Sequence, residues 1–492
     1  MKIPTVPNHG TIFYTTGGHK ASAVFLSEGI VITSALLLSD NGSVAKRVTD
    51  AVKKTAIVEL CKIDQLNQLD FRIVRKHKNE LEERTARALY IVHSPRVKAC
   101  LEQLLCGLQI VLNGDTKMLH EFSSLYSSFI VLSANDSVIS SWHSIQALLN
   151  RVSQPKDEPL KLLDRVVTVS TPFGNESFFN TVNMGHVCNV FGDNDCMLLL
   201  DVPLSMGCEG GAVYDSKMKL RGFLIGSTFM YRNDNVSLSL VVNVDELLNI
   251  SHNERNLCHR LPSSFPVQAF RSVCMIDSQG CWGTGCAFEL NGNHYIISCA
   301  HVLATDNITC YFNDRKVHHP KVLFKNPTFD SAYDIALMAM MEASYEEAQS
   351  DNWFCRLANY IPRVGQRLYA VGFPVLKSLA MKPFRPSIVP GRVTKYTDGI
   401  LFTDCSIQNG QSGGPVFDEN GLLIAIVVSN FKSSLDNRMY PFHNMCVPVC
   451  AIYPALEQYT ETRDKSSLDA LQADWSIRSK WKLKPPTILN KL

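Results

Sequence analysis

The chain lacks both long apolar runs and a surplus of charge of either sign. The apolar stretch 422–428 is far shorter than the roughly 20 residues that cross a membrane, and it is typical of a buried strand. The 48 Lys and Arg residues nearly balance the 46 Asp and Glu residues, so no strong field for nucleic acid or a membrane surface is evident. We therefore expect neither a membrane span nor a nucleic-acid partner.

Metal-ligand spacings and an apolar leader are also missing. The 16 cysteines show no paired Cys-x-x-Cys and His-x-x-x-His spacing, so no structural metal and no cofactor is expected. The opening Met-Lys-Ile-Pro leads into polar sequence without the apolar core of a secretion signal. The cysteines are therefore expected to be reduced thiols, with Cys299 and Cys405 as small buried residues.

Length and composition predict a folded chain of more than one domain. With 492 residues, 46% of them hydrophobic and 19% charged, the chain is too long for a single core and too apolar for disorder. Many short apolar segments are separated by glycine turns, such as the Asn291-Gly292 hairpin signal. This rhythm predicts an all-β dominated fold built from barrels.

A serine lies between glycines in residues 410–415, which read Gly-Gln-Ser-Gly-Gly-Pro. The glycines allow a sharp turn that brings two N–H groups to one point, where a developing oxyanion can be bound. Ser412 is therefore the candidate nucleophile, and the N–H groups of Gly410 and Ser412 form the candidate oxyanion hole.

A histidine and an aspartate with the right settings lie upstream. His301 ends an apolar strand, and Asp334 directly precedes another. The chain order His, Asp, Ser is that of chymotrypsin-type enzymes. We expect His301 to accept the proton of Ser412 and Asp334 to hold the imidazole. Asp330 is a rival acid, although it does not adjoin the strand.

The front half repeats pieces of the back half in the same order. Residues 207–215 align without a gap against residues 410–418, and residues 31–36 align with residues 296–301. Such self-similarity predicts a duplicated fold. An unrelated β domain with a coincidental Gly-Gly turn remains the alternative.

The repeat replaces each catalytic side chain. Leu36 stands where the base is expected, Ser128 where the acid is expected, and Glu209 where the nucleophile is expected. Leucine cannot transfer a proton, so the front half is predicted to be a protease-like domain without catalytic chemistry.

Composition shifts set the expected domain boundaries. The polar, proline-containing segment after residue 250 is typical of a linker, and the charged segment after residue 62 favours helix. The expected organisation is an inactive domain (1–250) with a helical insertion around 63–105, a linker (251–268), an active domain (269–456) and a C-terminal helix and tail (457–492).

Residues from about 270 to 456 resemble the Deg/HtrA-type trypsin-like proteases. The resemblance is carried by Gly-Thr-Gly at 283–285, Ala-His at 300–301, Asp-Ile-Ala-Leu at 334–337, Val-Gly-Phe-Pro at 371–374 and the serine motif at 410–415. It implies a trypsin-like double β-barrel domain. Together with the internal repeat, the expected fold is two tandem domains of this kind, of which the N-terminal one is degenerate. The residues after Leu456 are too few for the PDZ domain of most such enzymes.

The end of the chain has features of its own. Leu468, Leu471 and Trp475 follow a helical spacing, which predicts a short helix packed on the body. The final residues 490–492, Asn490, Lys491 and Leu492, are close to the Ser-Lys-Leu address that the peroxisomal import receptor reads.

The whole chain is similar to the trypsin-domain-containing processing proteases of peroxisomes. This resemblance implies protein and peptide substrates in the peroxisomal matrix: removal of N-terminal type-2 targeting leaders and processing of imported enzymes of fatty-acid β-oxidation. A cytosolic Deg-type quality-control protease and a non-catalytic binding protein stay open as alternatives. So does assembly into a homo-oligomer.

Four residues are candidates for the substrate pocket. Ser406 takes the floor position of trypsin-like enzymes and is not acidic, so cleavage after Lys or Arg is not indicated. Ser429, Asn430 and Phe431 are expected to lie along the substrate backbone, and the bulk of Phe431 suggests a narrow pocket for a small side chain.

Overall fold

A computed structural model gives the architecture of the chain. The residues that it describes are 9–14, 19–27, 29–59, 69, 71–77, 80–107, 116–134, 141–154, 159–226, 229–231, 234–236, 238–249, 261–262, 265–312, 317–327, 333–340, 353–374, 384–432 and 439–481. The chain divides into two compact units. The first comprises residues 1–260, and the second comprises residues 261–379 and 384–492.

The first unit begins with a group of seven strands. They are β1 (His9–Tyr14), β2 (Lys20–Phe25), β3 (Ile30–Ser34), β4 (Ile57–Glu59), β5 (Phe71–His77), β6 (Glu80–His93) and β7 (Ser128–Ala134). They pair in the order β6-β5-β1-β2-β3-β7, and β6 also pairs with β7, which closes a six-stranded barrel. β3 and β7 are rich in Val and Ile and are buried along their whole length, as suits the centre of a sheet.

The hairpin of β5 and β6 corrects the predicted helical insertion around residues 63–105. Arg75 on β5 bonds to Glu82 on β6 at 2.7 Å, and Arg72 bonds to Glu83 at 2.5 Å. The charges that favoured a helix therefore pair across two strands and not along one helical face. Within this region the helix begins at Pro95 and ends at Gly107.

A second barrel completes the first unit. Its strands are β8 (Arg165–Ser170), β9 (Thr181–Phe191), β10 (Met197–Leu200), β11 (Ala212–Tyr214), β12 (Leu220–Gly226) and β15 (Ser239–Asn243), and a separate hairpin contains β13 (Phe229–Tyr231) and β14 (Asp234–Val236). The barrel closes in the order β10-β15-β12-β11-β8-β9. The first unit therefore contains two closed barrels.

The second unit contains one connected sheet of 14 strands. They are β16 (Val273–Ser278), β17 (Cys281–Leu290), β18 (Asn293–Cys299), β19 (Thr309–Phe312), β20 (Val317–His318), β21 (Lys321–Lys325), β22 (Ile335–Ala339), β23 (Cys355–Leu357), β24 (Arg367–Gly372), β25 (Ser387–Thr397), β26 (Ile400–Thr403), β27 (Pro415–Phe417), β28 (Leu422–Lys432) and β29 (Met439–Pro448).

Two groups of strands make up this sheet. One runs in the order β20-β19-β16-β17-β18-β22-β21, and the other closes as a ring in the order β24-β25-β26-β29-β28-β27. β23 joins the groups through parallel pairing with β17 and β28. The all-β dominated fold class is confirmed.

The turn between β17 and β18 follows the sequence signal for a hairpin. Asn291 and Gly292 have φ of 51° and 72°, the combination that a type I′ turn needs. The turn makes Leu290 and Asn293 cross-strand partners. This register fixes Cys299 as the last residue of β18, two positions before His301.

Helices lie between the strands and at the end of the chain. The α-helices are Gly42–Val52, Pro95–Gly107, Thr116–Tyr126, Trp142–Ser153, Val244–Leu248, Val267–Arg271, Val449–Thr462 and Trp475–Trp481, and the 3-10 helices are Ala35–Leu38, Pro172–Gly174, Glu176–Phe178, Asp193–Asp195, Ala300–Val302 and Lys465–Gln472. Across the described ranges, every helix falls short of the length and apolarity that a membrane crossing requires.

Two expectations about segment ends are corrected. Part of the expected linker 251–268 belongs to the second unit, where Phe265 is buried and its ring lies 5.1 Å from that of Tyr369. Residues 251–260 lie outside the described part. In the C-terminal segment Leu468 and Leu471 are buried, but Trp475 is 78% exposed, because it begins a separate helix after a break at Ala473.

Candidate active site

Ser412 lies in a tight turn between β26 and β27. Gly410 and Gly413 have φ of +95° and +80°, values that residues with a side chain rarely adopt. A Cβ atom at Gly410 would lie 2.5 Å from the Phe373 carbonyl oxygen, and one at Gly413 would lie 2.8 Å from the Cys299 nitrogen. Both glycines are therefore required by conformation and by close packing.

His301 and Asp334 meet because β18 and β22 pair side by side. Cys299 and Ile335 are cross-strand partners, so the residues that follow β18 adjoin the residue that precedes β22. Asp334 accepts from the His301 backbone N–H at 3.0 Å and from its Nδ1 at 2.5 Å. The Asp334 side chain is 6% exposed and the His301 side chain 33%. The rival Asp330 lies outside the described residues.

The nucleophile turn adjoins the strand that leads to the histidine. Gly413, next to Ser412, packs against the backbone nitrogen of Cys299, and Cys299 lies two residues before His301. The Ser412 hydroxyl donates to the Val428 carbonyl at 3.3 Å. The structure thus brings the predicted base, acid and nucleophile segments into one region of the second unit.

The N–H groups of the predicted oxyanion donors differ from their neighbours in their hydrogen bonding. In the same turn, the N–H groups of Gln411 and Gly413 donate to backbone carbonyls at 3.1 Å and 2.8 Å. For Gly410 and Ser412, no acceptor within the described part of the chain engages the N–H group. Two N–H groups that remain available on consecutive bends suit the binding of a developing oxyanion.

The predicted pocket floor is buried and polar. Ser406 is 2% exposed. Beside it, Asn430 donates to the Ile407 carbonyl at 2.9 Å. Asn430 also accepts from Asn444 at 2.9 Å, and Asn444 accepts from Thr403 at 2.6 Å. Asn444 and Thr403 were missed from sequence because they lie on strands without a catalytic motif.

The other two pocket candidates lie on β28. Ser429 pairs with Met445 on β29, and Phe431 pairs with Tyr440, with their ring centroids 6.0 Å apart. Ser429 and Phe431 are both partly exposed. This strand is therefore accessible beside the nucleophile turn, as an edge that pairs with substrate must be.

The first unit repeats the strand arrangement around the predicted base and acid. Leu36 lies in the 3-10 helix that follows β3, as His301 does after β18. Ser128 begins β7, and its neighbour Phe129 pairs with the last residue of β3, Ser34. These are the positions that Asp334, Ile335 and Cys299 hold in the second unit. Leu36 cannot replace the base, and Ser128 cannot replace the acid.

Glu209 occupies the position of the nucleophile in the first unit. Its carboxylate accepts from the Gly207 N–H at 2.8 Å, and Gly207 corresponds to Gly410. The Glu209 carboxylate therefore binds the N–H group that corresponds to the predicted oxyanion donor of Gly410.

Cys299 lies beside the histidine and aspartate. Its sulfur and the donor atoms of His301 and Asp334 lie within 4.8 Å of one another. Burial, with the Asp334 charge as a second cause, raises the pKa of the Cys299 thiol, and the thiol donates to the Val427 carbonyl at 3.2 Å. A protonated thiol is a poor metal ligand. These three residues are therefore better described as the pair of His301 and Asp334 beside a neutral Cys299 than as a metal site.

Burial likewise raises the pKa of the Cys405 thiol, which is fully buried. Both cysteines are small buried residues, as predicted. The 13 cysteines whose side chains the structure describes are free thiols.

Comparison with known proteins agrees with this geometry. Residues 283–426 match the model of the trypsin-like peptidase domain family. The matched range contains His301, Asp334 and Ser412. The region of the chain that is similar to trypsin-like peptidase domains therefore lies in the second unit.

Two curated relatives match a larger part of the chain. The peroxisomal leader peptide-processing protease of Homo sapiens is 25% identical over 371 residues, which is 68% of this chain and 61% of that protein. The protein of the same name from Mus musculus is 23% identical over 365 residues, which is 65% of this chain and 60% of that protein. The match thus spans about three fifths of the relatives' length.

Two solved structures are similar to parts of the chain. An inactive form of Rv3671c from M. tuberculosis H37Rv is 17% identical, with a TM-score of 0.32, and covers 44% of this chain and 98% of that chain. A serine endoprotease from Yersinia pestis is 17% identical, with a TM-score of 0.32, and covers 41% of this chain and 69% of that chain.

Proposed function

We propose that the chain is a serine endopeptidase in which Ser412 is the nucleophile, His301 the base and Asp334 the acid. The observation that carries the proposal is the double hydrogen bond of His301 to Asp334, at 3.0 Å from the backbone N–H and 2.5 Å from Nδ1. A histidine whose Nδ1 donates to a carboxylate carries its basic lone pair on Nε2, and Nε2 is therefore the atom that accepts a proton.

The first half of the reaction forms an acyl-enzyme. Rotation about the Cα–Cβ bond of Ser412 turns Oγ from the Val428 carbonyl towards His301 Nε2, which takes the proton as Oγ bonds to the scissile carbonyl carbon. The carbonyl oxygen becomes an oxyanion and binds the N–H groups of Gly410 and Ser412. His301 then gives the proton to the leaving amine as the C–N bond breaks.

The second half releases the acyl group. Water enters where the amine left, gives a proton to His301 and bonds to the acyl carbon. The same two N–H groups bind the second oxyanion. The bond to Ser412 Oγ breaks, and Oγ regains its proton from the imidazolium, which Asp334 has stabilised throughout.

The names of the human and mouse relatives support leader peptides as substrates and the peroxisome as the location. We propose that the enzyme works in the peroxisomal matrix, removes N-terminal type-2 leader peptides and processes imported enzymes of fatty-acid β-oxidation. The import receptor is the proposed partner of Asn490, Lys491 and Leu492, which lie outside the described residues. Deleting Leu492 and following the location of the protein tests this partner.

The proposed reaction is tested with a leader-bearing precursor. Purified wild type is expected to release the leader and create one new N terminus, whereas Ser412→Ala is expected to leave the precursor intact. Equal cleavage by both proteins would contradict the proposal. Degradation of misfolded chains with the precursor spared would instead favour a quality-control protease, and no Ser412-dependent cleavage of any substrate would favour a binding protein.

We propose that Ser406, Ser429, Asn430 and Phe431 line a pocket for a small, uncharged side chain. Ser406 is buried and offers no charge to a Lys or Arg side chain. Peptides that differ only in the residue before the scissile bond test this pocket. A strong preference for Arg or Phe at that position would overturn the proposal.

We propose that the first unit is a degenerate trypsin-like domain that serves as a scaffold, a substrate cradle or a contact between copies of the chain. Leu36, Ser128 and Glu209 leave it without a base, an acid or an activated nucleophile. Reaction of an active-site serine probe with a residue of this unit would contradict the proposal.

A further inference from the structure

A buried threonine connects the two residues that supply the proposed oxyanion donors. The Thr284 hydroxyl donates to the Gly410 carbonyl at 2.7 Å, and the Thr284 N–H donates to the Ser412 carbonyl at 2.9 Å. Thr284 is fully buried in β17, so it does not touch substrate. It therefore contacts the nucleophile turn from behind, at both donor residues.

Two further bonds hold Thr284 itself. Its hydroxyl accepts from the Phe373 N–H at 3.0 Å, and its carbonyl accepts from the Ser298 hydroxyl at 2.7 Å. The hydroxyl thus uses its donor and an acceptor position at once, which fixes its orientation. Because Phe373 and Gly410 are far from Thr284 in sequence, these bonds tie three separate segments together.

The first unit makes the same four bonds with different residues. Ser22 donates to the Gly207 carbonyl at 2.7 Å and accepts from the Thr171 N–H at 2.8 Å. The Ser22 N–H donates to the Glu209 carbonyl at 2.9 Å, and the Ser22 carbonyl accepts from the Thr33 hydroxyl at 2.7 Å. Serine and threonine are exchanged between the two units. What both units keep is therefore the hydroxyl and not the methyl group.

We propose that Thr284 is a positioning residue that holds the N–H groups of Gly410 and Ser412 in the geometry that binds the oxyanion. This inference rests on the proposed endopeptidase function. Gly410 has φ of +95° and no side chain to restrict it, so its peptide planes depend on external bonds. The hydrogen bond from the Thr284 hydroxyl fixes the Gly410 carbonyl. It thereby restrains the backbone conformation of Gly410, which sets the direction of its N–H group.

The test compares three variants in the full chain. Thr284→Val removes the hydroxyl and keeps the shape, Thr284→Ser keeps the hydroxyl, and Ser22→Ala removes the matching hydroxyl from the first unit. We expect Thr284→Val to lower kcat on the leader peptide by roughly 10- to 100-fold with KM within about threefold, somewhat less than the loss of a whole oxyanion donor. Thr284→Ser and Ser22→Ala are expected to stay within about threefold of wild type in kcat.

Two further measurements separate positioning from general stability. A peptide aldehyde forms an adduct with Ser412 whose oxygen occupies the oxyanion hole, so its affinity is expected to fall in parallel with kcat in Thr284→Val. Amide hydrogen exchange of residues 408–414 is expected to become faster in the same variant. Thermal unfolding verifies that each variant is folded, and Thr284→Ala replaces Thr284→Val should the valine variant not fold.

Three results would overturn the inference: Thr284→Val with kcat, aldehyde affinity and exchange within twofold of wild type; Thr284→Ser as slow as Thr284→Val; or Ser22→Ala with the same loss as Thr284→Val. A wild type without Ser412-dependent cleavage would instead refute the proposed function. In that case the exchange of residues 408–414 still decides the inference, because faster exchange in Thr284→Val supports it and unchanged exchange contradicts it.

Discussion

The nucleophile turn of the second unit and its counterpart in the first unit share a backbone but not a chemistry. Gly207 and Gly210 have φ of +88° and +84°, close to the +95° and +80° of Gly410 and Gly413. The Gly210 N–H donates to the Leu224 carbonyl at 2.8 Å, and the Gly413 N–H donates to the Val427 carbonyl at the same distance. The turn is therefore set by glycines and by backbone partners, whatever residue occupies the nucleophile position.

The difference between the units lies in three side chains. The second unit has a histidine bound to a buried aspartate, whereas the first has Leu36 and Ser128 at those positions. The first unit also places the Glu209 carboxylate on the Gly207 N–H. The architecture of this turn therefore does not depend on the side chains to which the proposed chemistry is assigned.

Replacing Ser412 by glutamate, the residue at the matching position of the first unit, gives the largest expected effect. Ser412→Glu is expected to lower the cleavage rate by at least about 10⁴-fold, since removal of a nucleophilic serine costs up to about 10⁶-fold. The fold is expected to persist, because Glu209 occupies the same turn in the first unit. Initial rates on the leader peptide and thermal unfolding measure both effects. Ser412→Ala is the control, and more than about 1% residual activity in either variant would contradict the prediction.

Removing the charge of the acid gives the next largest effect. Asp334→Asn is expected to lower kcat by about 10⁴-fold, because the asparagine amide no longer selects the reactive tautomer of His301. Steady-state kinetics at neutral pH measure this loss. Asp330→Asn is the matched control and is expected to behave as wild type, and a larger loss in that variant would reassign the acid.

Much of the site was predictable because its signals are local. The Gly-Gln-Ser-Gly-Gly-Pro turn, the strand that ends at His301 and the strand after Asp334 each carry a recognisable pattern. The pairing of β18 with β22 brings His301 and Asp334 together. The roles of Thr284, Asn444 and Thr403 were not predictable, since each depends on partners that are distant in sequence.

The mistaken expectations have a common physical origin. The Arg and Glu residues of β5 and β6 favour a helix when each segment is considered alone, but barrel closure places them opposite each other in a hairpin. Trp475 follows the spacing of Leu468 and Leu471, yet Ala473 has φ of 52° and interrupts the helix. Tertiary pairing and a single backbone angle outweighed local pattern in these places.

The two units are also expected to differ in their response to acid. His93 on β6 contacts the Ser128 hydroxyl at 3.0 Å, and burial, with Lys98 as a second cause, lowers its pKa from 6.5 to about 4. The unfolded chain therefore binds the proton more readily. The first unit is expected to lose stability as pH falls from about 6.5 to about 4, by at most about 1.4 kcal/mol per pH unit.

Chemical denaturation at several pH values measures this dependence. His93→Asn is the comparison, because its side chain does not titrate in this range, and its stability is expected to change less between pH 6.5 and pH 4. A pH dependence that is the same in wild type and in the variant would contradict the assignment to His93.

Removal of the Glu209 carboxylate from the Gly207 N–H gives the smallest expected effect. Glu209→Ala removes the bond to the Gly207 N–H and is expected to lower the free energy of unfolding by about 1–2 kcal/mol. Cleavage of the leader peptide is expected to be unchanged, because Leu36 occupies the position of the base in the first unit. A loss of kcat beyond about threefold would indicate that Glu209 affects the second unit's reaction.

We propose that one serine of the chain is activated and that it lies in the second unit. The most direct measurement is reaction with a fluorophosphonate probe, followed by peptide mapping of the labelled residue in wild type and in His301→Leu, which copies Leu36 of the first unit. We expect the label on Ser412 in wild type and its loss in the variant. A label on another residue, or equal labelling of Ser412 in both proteins, would contradict the account.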